Sequence, residues 1–430
     1  MAAINAGGVM SVLELGKKAK SASREIAQLS SEQKEQVLLA LAARLVEAQD
    51  EILEANTADL RAGEARGMSP ALLDRLVLNP QRLQGVAADL RQVASLPDPI
   101  GEQFEASVLA NGLRIRKMRV PLGVVAVIYE ARPNVTVDIF SLAFKTGNAV
   151  ILRGGSETMR SNAALIRVIR ATLAEHGVTQ DAVQWIQDPD RERVMELLQL
   201  HEYVDMLIPR GGSALHQFCR ENSRIPVITG GIGICHLYVD QSADQEKALH
   251  VINNAKIQRP SVCNALDTLL VHQDVAANFL PQVVQLLGGA GVSFRADERA
   301  FKLLEQSRTT VEILPAEEDD FDTEWLSLIL GLKVVDDLDA ALEHIARHST
   351  GHSDGILTEN IEFAQRFIQE VDSAAVYVNA STRFTDGGQL GLGAEAAIST
   401  QKLHARGPLG LRELTTYKWV IEGQYHIRSS

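Results

Sequence analysis

The sequence predicts an α/β protein built from two successive series of parallel β/α units, with a helical block ahead of them and one protruding β-hairpin. Three observations carry this expectation. From residue 120 onward, short Val-, Ile- and Leu-rich runs alternate with segments of helical period, the pattern of a parallel, doubly wound sheet. Glycine turns close many of the runs. Between residues 104 and 119 an Asn-Gly dipeptide sits between two alternating runs, which signals a hairpin.

Taken in order, residues 10 to 97 read as helical. In SSEQKEQVLLALAARLVEAQDEILEANTADL apolar residues recur at helical spacing, and Ser30 or Ser31 caps the start with Glu32 and Gln33 in the first turn. SPALLDRLVLNPQRLQGVAADLRQVASL holds two more helices, separated near Asn79 and Pro80, and LPDPIGE stops helix formation. The hairpin FEASVLANGLRIRKMRV has one strongly basic face, and a hairpin of this kind suits pairing with another subunit. The first β/α series follows. VPLGVVAVIYE is a strand, TVDIFSLAFKTG a helix, NAVILRGG a strand and SNAALIRVIRATLAEHG a helix with Gly177 as its C-cap. AVQWIQ, VDMLIPRGG and IPVITGG are further strands, separated by the helices DRERVMELLQL and SALHQFCRENS.

The second series contains the strands CHLYVD, DTLLVH, VSFRA, TVEILP, SLILGLKVV, SDGILT and AAVYVN, with KALHVINNAKI and LDAALEHIARH among the helices between them. The tail LGLRELTTYKWVIEGQYHIR alternates and is expected to complete a sheet with the hairpin. GGAG at 288–291 reads as a helix-to-strand turn, because it lacks the strand–GxGxxG–helix context of a dinucleotide fingerprint.

The chain has 430 residues, 46% of them hydrophobic and 23% charged, which suits two or three domains with cores of their own. Its net charge of -13 argues against nucleic acid as the main ligand and leaves an anionic substrate to a local cluster of Arg, Lys and backbone N–H groups. No apolar run approaches the roughly 20 residues of a membrane helix. The first residues lack a cationic start, an apolar block and a cleavage site. Three cysteines do not make a disulfide framework, so a reducing cytoplasm is the expected compartment.

In QRPSVCNALDTLL, Cys263 follows Pro260 and Ser261 in a loop that opens onto an apolar run. There a thiol can be partly exposed, and nearby N–H dipoles can favour its thiolate. Asn264 beside it offers a neutral donor. Cys219, within a helix, and Cys235, at the start of a strand, read as core filler. LRGGSE, PRGGSAL and TGGIG are glycine turns at the ends of β-units; each is either a phosphate cradle or an ordinary βα turn, and Arg153 and Arg210 stand immediately before two of them. His344, His348 and His352 are four residues apart, but Gly351 ends the helix before the third and no carboxylate follows at ligand spacing, so no metal is expected.

The segment VPLGVVAVIYEARPNVTVDIFSLAFKTGNAVILRGGSE resembles the γ-glutamyl phosphate reductase family, within the aldehyde dehydrogenase superfamily. So do IPRGGSAL, QRPSVCNALDTLLVH, ALEHIARHSTGHSDGI and VNASTRFTDGGQLGLGAEAAISTQKLHARGPLGLRELTTYKW, in the same order and together running from about residue 12 to 423. The resemblance implies an aldehyde dehydrogenase-like fold: two Rossmann-like α/β domains plus a β-hairpin oligomerisation flap. It places an NADP-binding domain with the N-terminal helices at 1–103 and 120–234, a catalytic domain at 235–378, and the flap at 104–119 and 400–430. It implies reduction of γ-glutamyl phosphate by NADPH to glutamate-5-semialdehyde and phosphate, the second step of proline biosynthesis from glutamate. A homodimer or dimer-based tetramer, and functional coupling to glutamate 5-kinase, are implied with it.

Residue by residue, Cys263 resembles the superfamily's nucleophile and Asn134 its oxyanion-hole asparagine. Gly211, Gly212 and Ser213 match the turn facing the cofactor pyrophosphate. Arg153 falls where a lysine usually lies near the adenosine ribose, and suits the 2′-phosphate of NADPH. Glu324 resembles the glutamate that holds the nicotinamide ribose. Arg383, Thr385, His352 and Ser353 are substrate-binding candidates, with Glu130 or Asp386 for the α-ammonium group. The chain departs from ordinary aldehyde dehydrogenases in reading ITGG where they carry ELGG. Ile228 thus replaces the glutamate that activates water, which suits an acyl intermediate meant to meet phosphate or hydride. Two other possibilities are a reductase of a related acyl phosphate and a catalytically dead homologue.

Overall fold

The computed structural model describes residues 10–230, 232–306 and 311–428. These residues form two compact units. The first takes Met1–Thr229, Gly391–Ala397 and Leu409–Ser430; the second takes Gly230–Leu390 and Ile398–Pro408.

The first unit opens with helices α1 (Val12–Ile26), α2 (Ser31–Glu47), α3 (Gln49–Ala65), α4 (Pro70–Leu76) and α5 (Pro80–Ser95). Their starts are set by local chemistry. Ser11 with Glu14, and Ser30 with Gln33, close capping boxes. Ser69 and Asn79 cap helices whose first residue is proline, where the missing N–H costs nothing. Strands β1 (Gln103–Val108) and β2 (Arg114–Pro121) form the expected hairpin, and β2 pairs along its length with the tail strand Thr415–Glu422.

The first β/α series follows as β3 (Val124–Tyr129), α6 (Val135–Lys145), β4 (Ala149–Gly154), α7 (Met159–Glu175), β5 (Val183–Trp185), α8 (Arg191–Leu198), β6 (Met206–Arg210) and α9 (Ser213–Asn222). The described strands make a parallel sheet in the order β5-β4-β3-β6. β3 is buried at every position, which is why its sequence shows an apolar run and not alternation. IPVITGG differs from expectation. It makes an isolated bridge between Val227 and Leu207 and does not form a strand of this sheet. Pro226 has no N–H to give a ladder, and glycines follow at once.

The second unit runs β7 (Cys235–Val239), α10 (Gln245–Ile257), β8 (Leu266–His272), α11 (Gln273–Gly288), β9 (Ser293–Ala296), α12 (Glu298–Glu305), β10 (Ile313–Pro315), β11 (Ile329–Val335), α13 (Leu338–His348), β12 (Ser353–Leu357), α14 (Ile361–Glu370) and β13 (Ala375–Val378). Its described strands are parallel, in the order β10-β9-β11-β8-β7-β12-β13. The core packs Leu237, Leu269 and Leu332 of the sheet against Phe279 and Val283 of α11. Residues 400–408, assigned from the sequence to the flap, group with this unit, where Gly407–Pro408 pairs with Ile398–Ser399. No helix among the described residues is long and apolar enough to cross a membrane.

Candidate active site

Cys263 lies in the turn that leads into β8. The turn is closed by a hydrogen bond from the Ala265 N–H to the Val262 carbonyl, and Cys263 itself is half-buried. Two contacts fix it from behind. Gly233 presses on it so closely that a Cβ there would lie 1.6 Å from the Cys263 carbonyl oxygen. The Cys235 thiol donates to the same oxygen at 3.2 Å. A third attachment runs to residues 382–385. Asn264 Nδ2 donates to the carbonyls of Arg383 and Thr385, at 3.3 and 2.9 Å, and Thr382 Oγ1 donates to the Asn264 carbonyl at 2.7 Å. Asn264 therefore does not offer its amide to a ligand, as its place in the sequence suggested. It ties the cysteine turn to the chain that carries Arg383.

Behind the turn lies a buried polar chain. His352 Nδ1 bonds Ser353 Oγ at 2.8 Å, Ser353 Oγ bonds Thr385 Oγ1 at 2.6 Å, and Thr385 Oγ1 bonds the Tyr377 hydroxyl at 2.6 Å. His352, Ser353 and Thr385 are each 0% exposed. They sit inside the unit, behind the cysteine turn, and present no exposed surface. Burial pulls His352 down to about 4, so its ring is neutral at neutral pH. Burial also pushes Cys235 well up, with Asp267 and Asp354 adding to it, and pushes Cys219 up to about 11. Those two thiols stay protonated.

Arg383 is half-buried; its Nε donates to Gln258 Oε1 at 3.1 Å. Burial lowers its pKa, Arg259 lowers it further, and the charge of Asp386 opposes them. Glu324 Oε1 accepts from the Gly233 N–H at 2.9 Å, on the strand lead-in that braces Cys263. Asp386 Oδ1 accepts the N–H groups of Gly388 and Gln389 and shapes its own loop. Among the described residues no group of three or more His, Cys, Asp or Glu could hold a metal ion. His344 and His348 lie on α13, while His352 leads into β12.

In the first unit, Arg153, next to last in β4, places its Nη2 on the Pro189 carbonyl at 2.7 Å, and its buried Nε has no partner among the described residues. Gly211 and Gly212 join β6 to α9. A Cβ on Gly211 would stand 2.6 Å from the Glu130 carboxylate, whereas nothing lies within 4 Å of one on Gly212. No side chain caps α9, which begins at Ser213, so its first turn presents backbone donors. Asn134 precedes α6, half-buried, and donates from Nδ2 to Asp138 Oδ2 at 2.8 Å. Burial raises Asp138 to about 7, against this hydrogen bond. Ile228 is 3% exposed and offers no proton acceptor.

The fold defines the class. The chain matches the model of the aldehyde dehydrogenase family over residues 1–296. An engineered glycolyl-CoA reductase with bound NADP+ shares the fold, at 18% identity and a TM-score of 0.69 over 98% of both chains. Nearer relatives are more specific. The gamma-glutamyl phosphate reductase of Roseiflexus castenholzii is 58% identical over 419 residues, 97% of this chain and 99% of its own. That of Psychromonas ingrahamii is 57% identical, over 97% of this chain and 100% of its own. The crystal structure of the Thermotoga maritima gamma-glutamyl phosphate reductase matches at 47% identity with a TM-score of 0.94, covering 98% of this chain and 100% of that one. The chain belongs to the gamma-glutamyl phosphate reductases of the aldehyde dehydrogenase family.

Proposed function

We propose that the protein reduces γ-glutamyl phosphate to glutamate-5-semialdehyde with NADPH, releasing phosphate, as the second step of proline biosynthesis from glutamate. The observation that carries this is the nearly end-to-end match to gamma-glutamyl phosphate reductases.

In this mechanism the Cys263 thiolate attacks the acyl carbon and the C–O bond to phosphate breaks. An acyl phosphate is already activated, so phosphate leaves without a strong general acid, and a thioester remains on Cys263. NADPH, when bound, supplies the hydride that reduces the acyl carbon. The oxyanion that then forms needs preorganised donors, and the Cys263 N–H is assigned that role. As the carbon–sulfur bond breaks, the oxyanion becomes the aldehyde carbonyl and the thiolate is regenerated. Water is kept out of the sequence because Ile228 supplies no base to activate it. Arg383 is assigned to the substrate's carboxylate or phosphate.

The first unit's residues fit the cofactor. The buried Nε of Arg153, without a partner among the described residues, suits a 2′-phosphate, and the start of α9 after Gly211 and Gly212, where Glu130 Oε2 accepts the Gly212 N–H at 3.4 Å, suits a pyrophosphate that takes over that donor. In the second unit, Glu324 is the residue that the family resemblance assigns to the nicotinamide ribose. Self-association as a dimer or dimer-based tetramer is assigned to the flap, whose outer strands are open edges carrying the exposed Tyr417, Trp419 and Ile421; a monomeric mass in solution would contradict it. None of the three cysteines is in a disulfide, in keeping with a cytoplasmic enzyme. The test of the substrate is direct: γ-glutamyl phosphate made in place by glutamate 5-kinase should drive NADPH oxidation. An aspartyl phosphate turned over equally well would refute the assignment.

A further inference from the structure

In the second unit, a cleft of about 310 Å³ runs between the C-terminal half of β11 and one face of α13. None of the residues lining it belongs to the cysteine turn or its supports. At its inner wall stands His344. This residue is 4% exposed, and neither ring nitrogen has a hydrogen-bond partner among the described residues. Buried polar groups are normally hydrogen-bonded, so both ring nitrogens are available to a partner in the cleft. The ring is fixed in place: Phe321 and His236 meet it edge-on at 5.3 and 5.4 Å, and the His348 ring lies 4.3 Å away.

Several basic groups surround His344. Burial holds it neutral, and His236, Lys333, His348 and Arg347 add to that effect. Lys333 Nζ lies 5.4 Å over the Phe321 ring, and neither Lys333 nor Arg347 makes an ion pair with a described residue. The acids nearby are mostly spoken for. Asp336 is held by Arg299 at 2.5 Å, and Asp322 by His348 at 2.8 Å. Glu343 is the one remaining carboxylate of the lining.

We propose that this cleft binds a small phosphomonoester, distinct from the substrate. Lys333 and Arg347 hold the phosphate dianion, one His344 nitrogen donates to it, and the organic part lies along Val334, Val335 and Ala340. The volume favours an ester over bare phosphate, since it matches the lower range of small-molecule pockets.

Calorimetric titration of the full-length protein at fixed ionic strength tests this, with glycerol 3-phosphate and inorganic phosphate as separate probes. The native protein should bind glycerol 3-phosphate, and the Lys333→Gln/Arg347→Gln variant should bind it at least about 10-fold more weakly, the loss of one or two charge-assisted hydrogen bonds. Turnover of γ-glutamyl phosphate should be retained in that variant, because the cleft lies outside the cysteine site. The charge-keeping Lys333→Arg/Arg347→Lys variant should bind within a few-fold of native, which guards against a mere folding defect. Phosphate binding as tightly as the ester would still place the dianion here and make free phosphate the ligand. No binding by the native protein, or equal binding by native and Gln variants, overturns the proposal.

Discussion

Gly233 and Cys263 are in backbone contact: a Cβ on Gly233 would lie 1.6 Å from the Cys263 carbonyl oxygen, 2.5 Å from its carbonyl carbon and 2.9 Å from its Cα. No rotamer relieves such an overlap, because both sides are main chain. Gly233→Ala must therefore displace the cysteine turn. A displacement of about 1 Å at a reacting atom can cost about 100-fold in rate. The expected outcome is a kcat at least that much lower, with an unchanged far-ultraviolet spectrum. A Gly233→Ala enzyme of native activity would show that the turn does not depend on this contact.

The three thiols should separate by reactivity. Cys219 is pushed up to about 11 by burial, and Cys235 is raised by burial and by its acidic neighbours. The thiolate is the reacting species, so a raised pKa keeps both protonated and slow at neutral pH. Iodoacetamide should modify Cys263 first in the folded protein, read by peptide mass mapping. Cys219 and Cys235 should follow only on unfolding. Equal labelling of all three would point to a dead site.

Arg153→Ala should narrow the preference for NADPH over NADH. A bidentate arginine–phosphate contact is worth about 1.5–3 kcal/mol, or roughly 10- to 100-fold in kcat/KM for NADPH. The NADH value should stay nearly constant. A ratio untouched by the substitution would remove Arg153 from cofactor selection.

His352 gives a pH signature. Its folded pKa is pulled down from 6.5 to about 4 by burial. As pH falls from 6.5 toward 4, the unfolded chain takes up this proton and the folded chain does not. Stability present at neutral pH is lost across that window, on the order of 3 kcal/mol. Urea midpoints measured at neutral and mildly acidic pH should fall more steeply for the native protein than for His352→Gln. Parallel profiles would mean that His352 titrates normally in the fold.

Much of this was readable from the sequence, for physical reasons. β3 is buried at every position and so appears as an unbroken apolar run, and β8, equally buried, keeps the apolar stretch Leu269–Val271 although Asp267, Thr268 and His272 interrupt it. The starts of α2 and α5 follow from Ser30 and Asn79. Cys263 stood out because a Pro-Ser loop ahead of a strand is an unusual place for a thiol. IPVITGG was misread because its apolar letters look like a strand, while Pro226 and the glycines deny it a ladder. The supports of the cysteine turn were not legible. Cys235, Asn264, His352, Thr385 and Tyr377 meet through contacts spanning up to 121 positions, and no local periodicity records such meetings. Thr385, His352 and Ser353 were expected to face substrate, and only three-dimensional packing shows them fully buried.

The central claim is that an acyl group passes through Cys263 and is released to phosphate and not to water. Running the reaction in reverse tests it most directly, with glutamate-5-semialdehyde and NADP, with and without phosphate, for the native protein and Cys263→Ala. NADPH formation should require both phosphate and Cys263. Turnover of the native protein without phosphate would contradict the account, since water would then be releasing the acyl group despite Ile228.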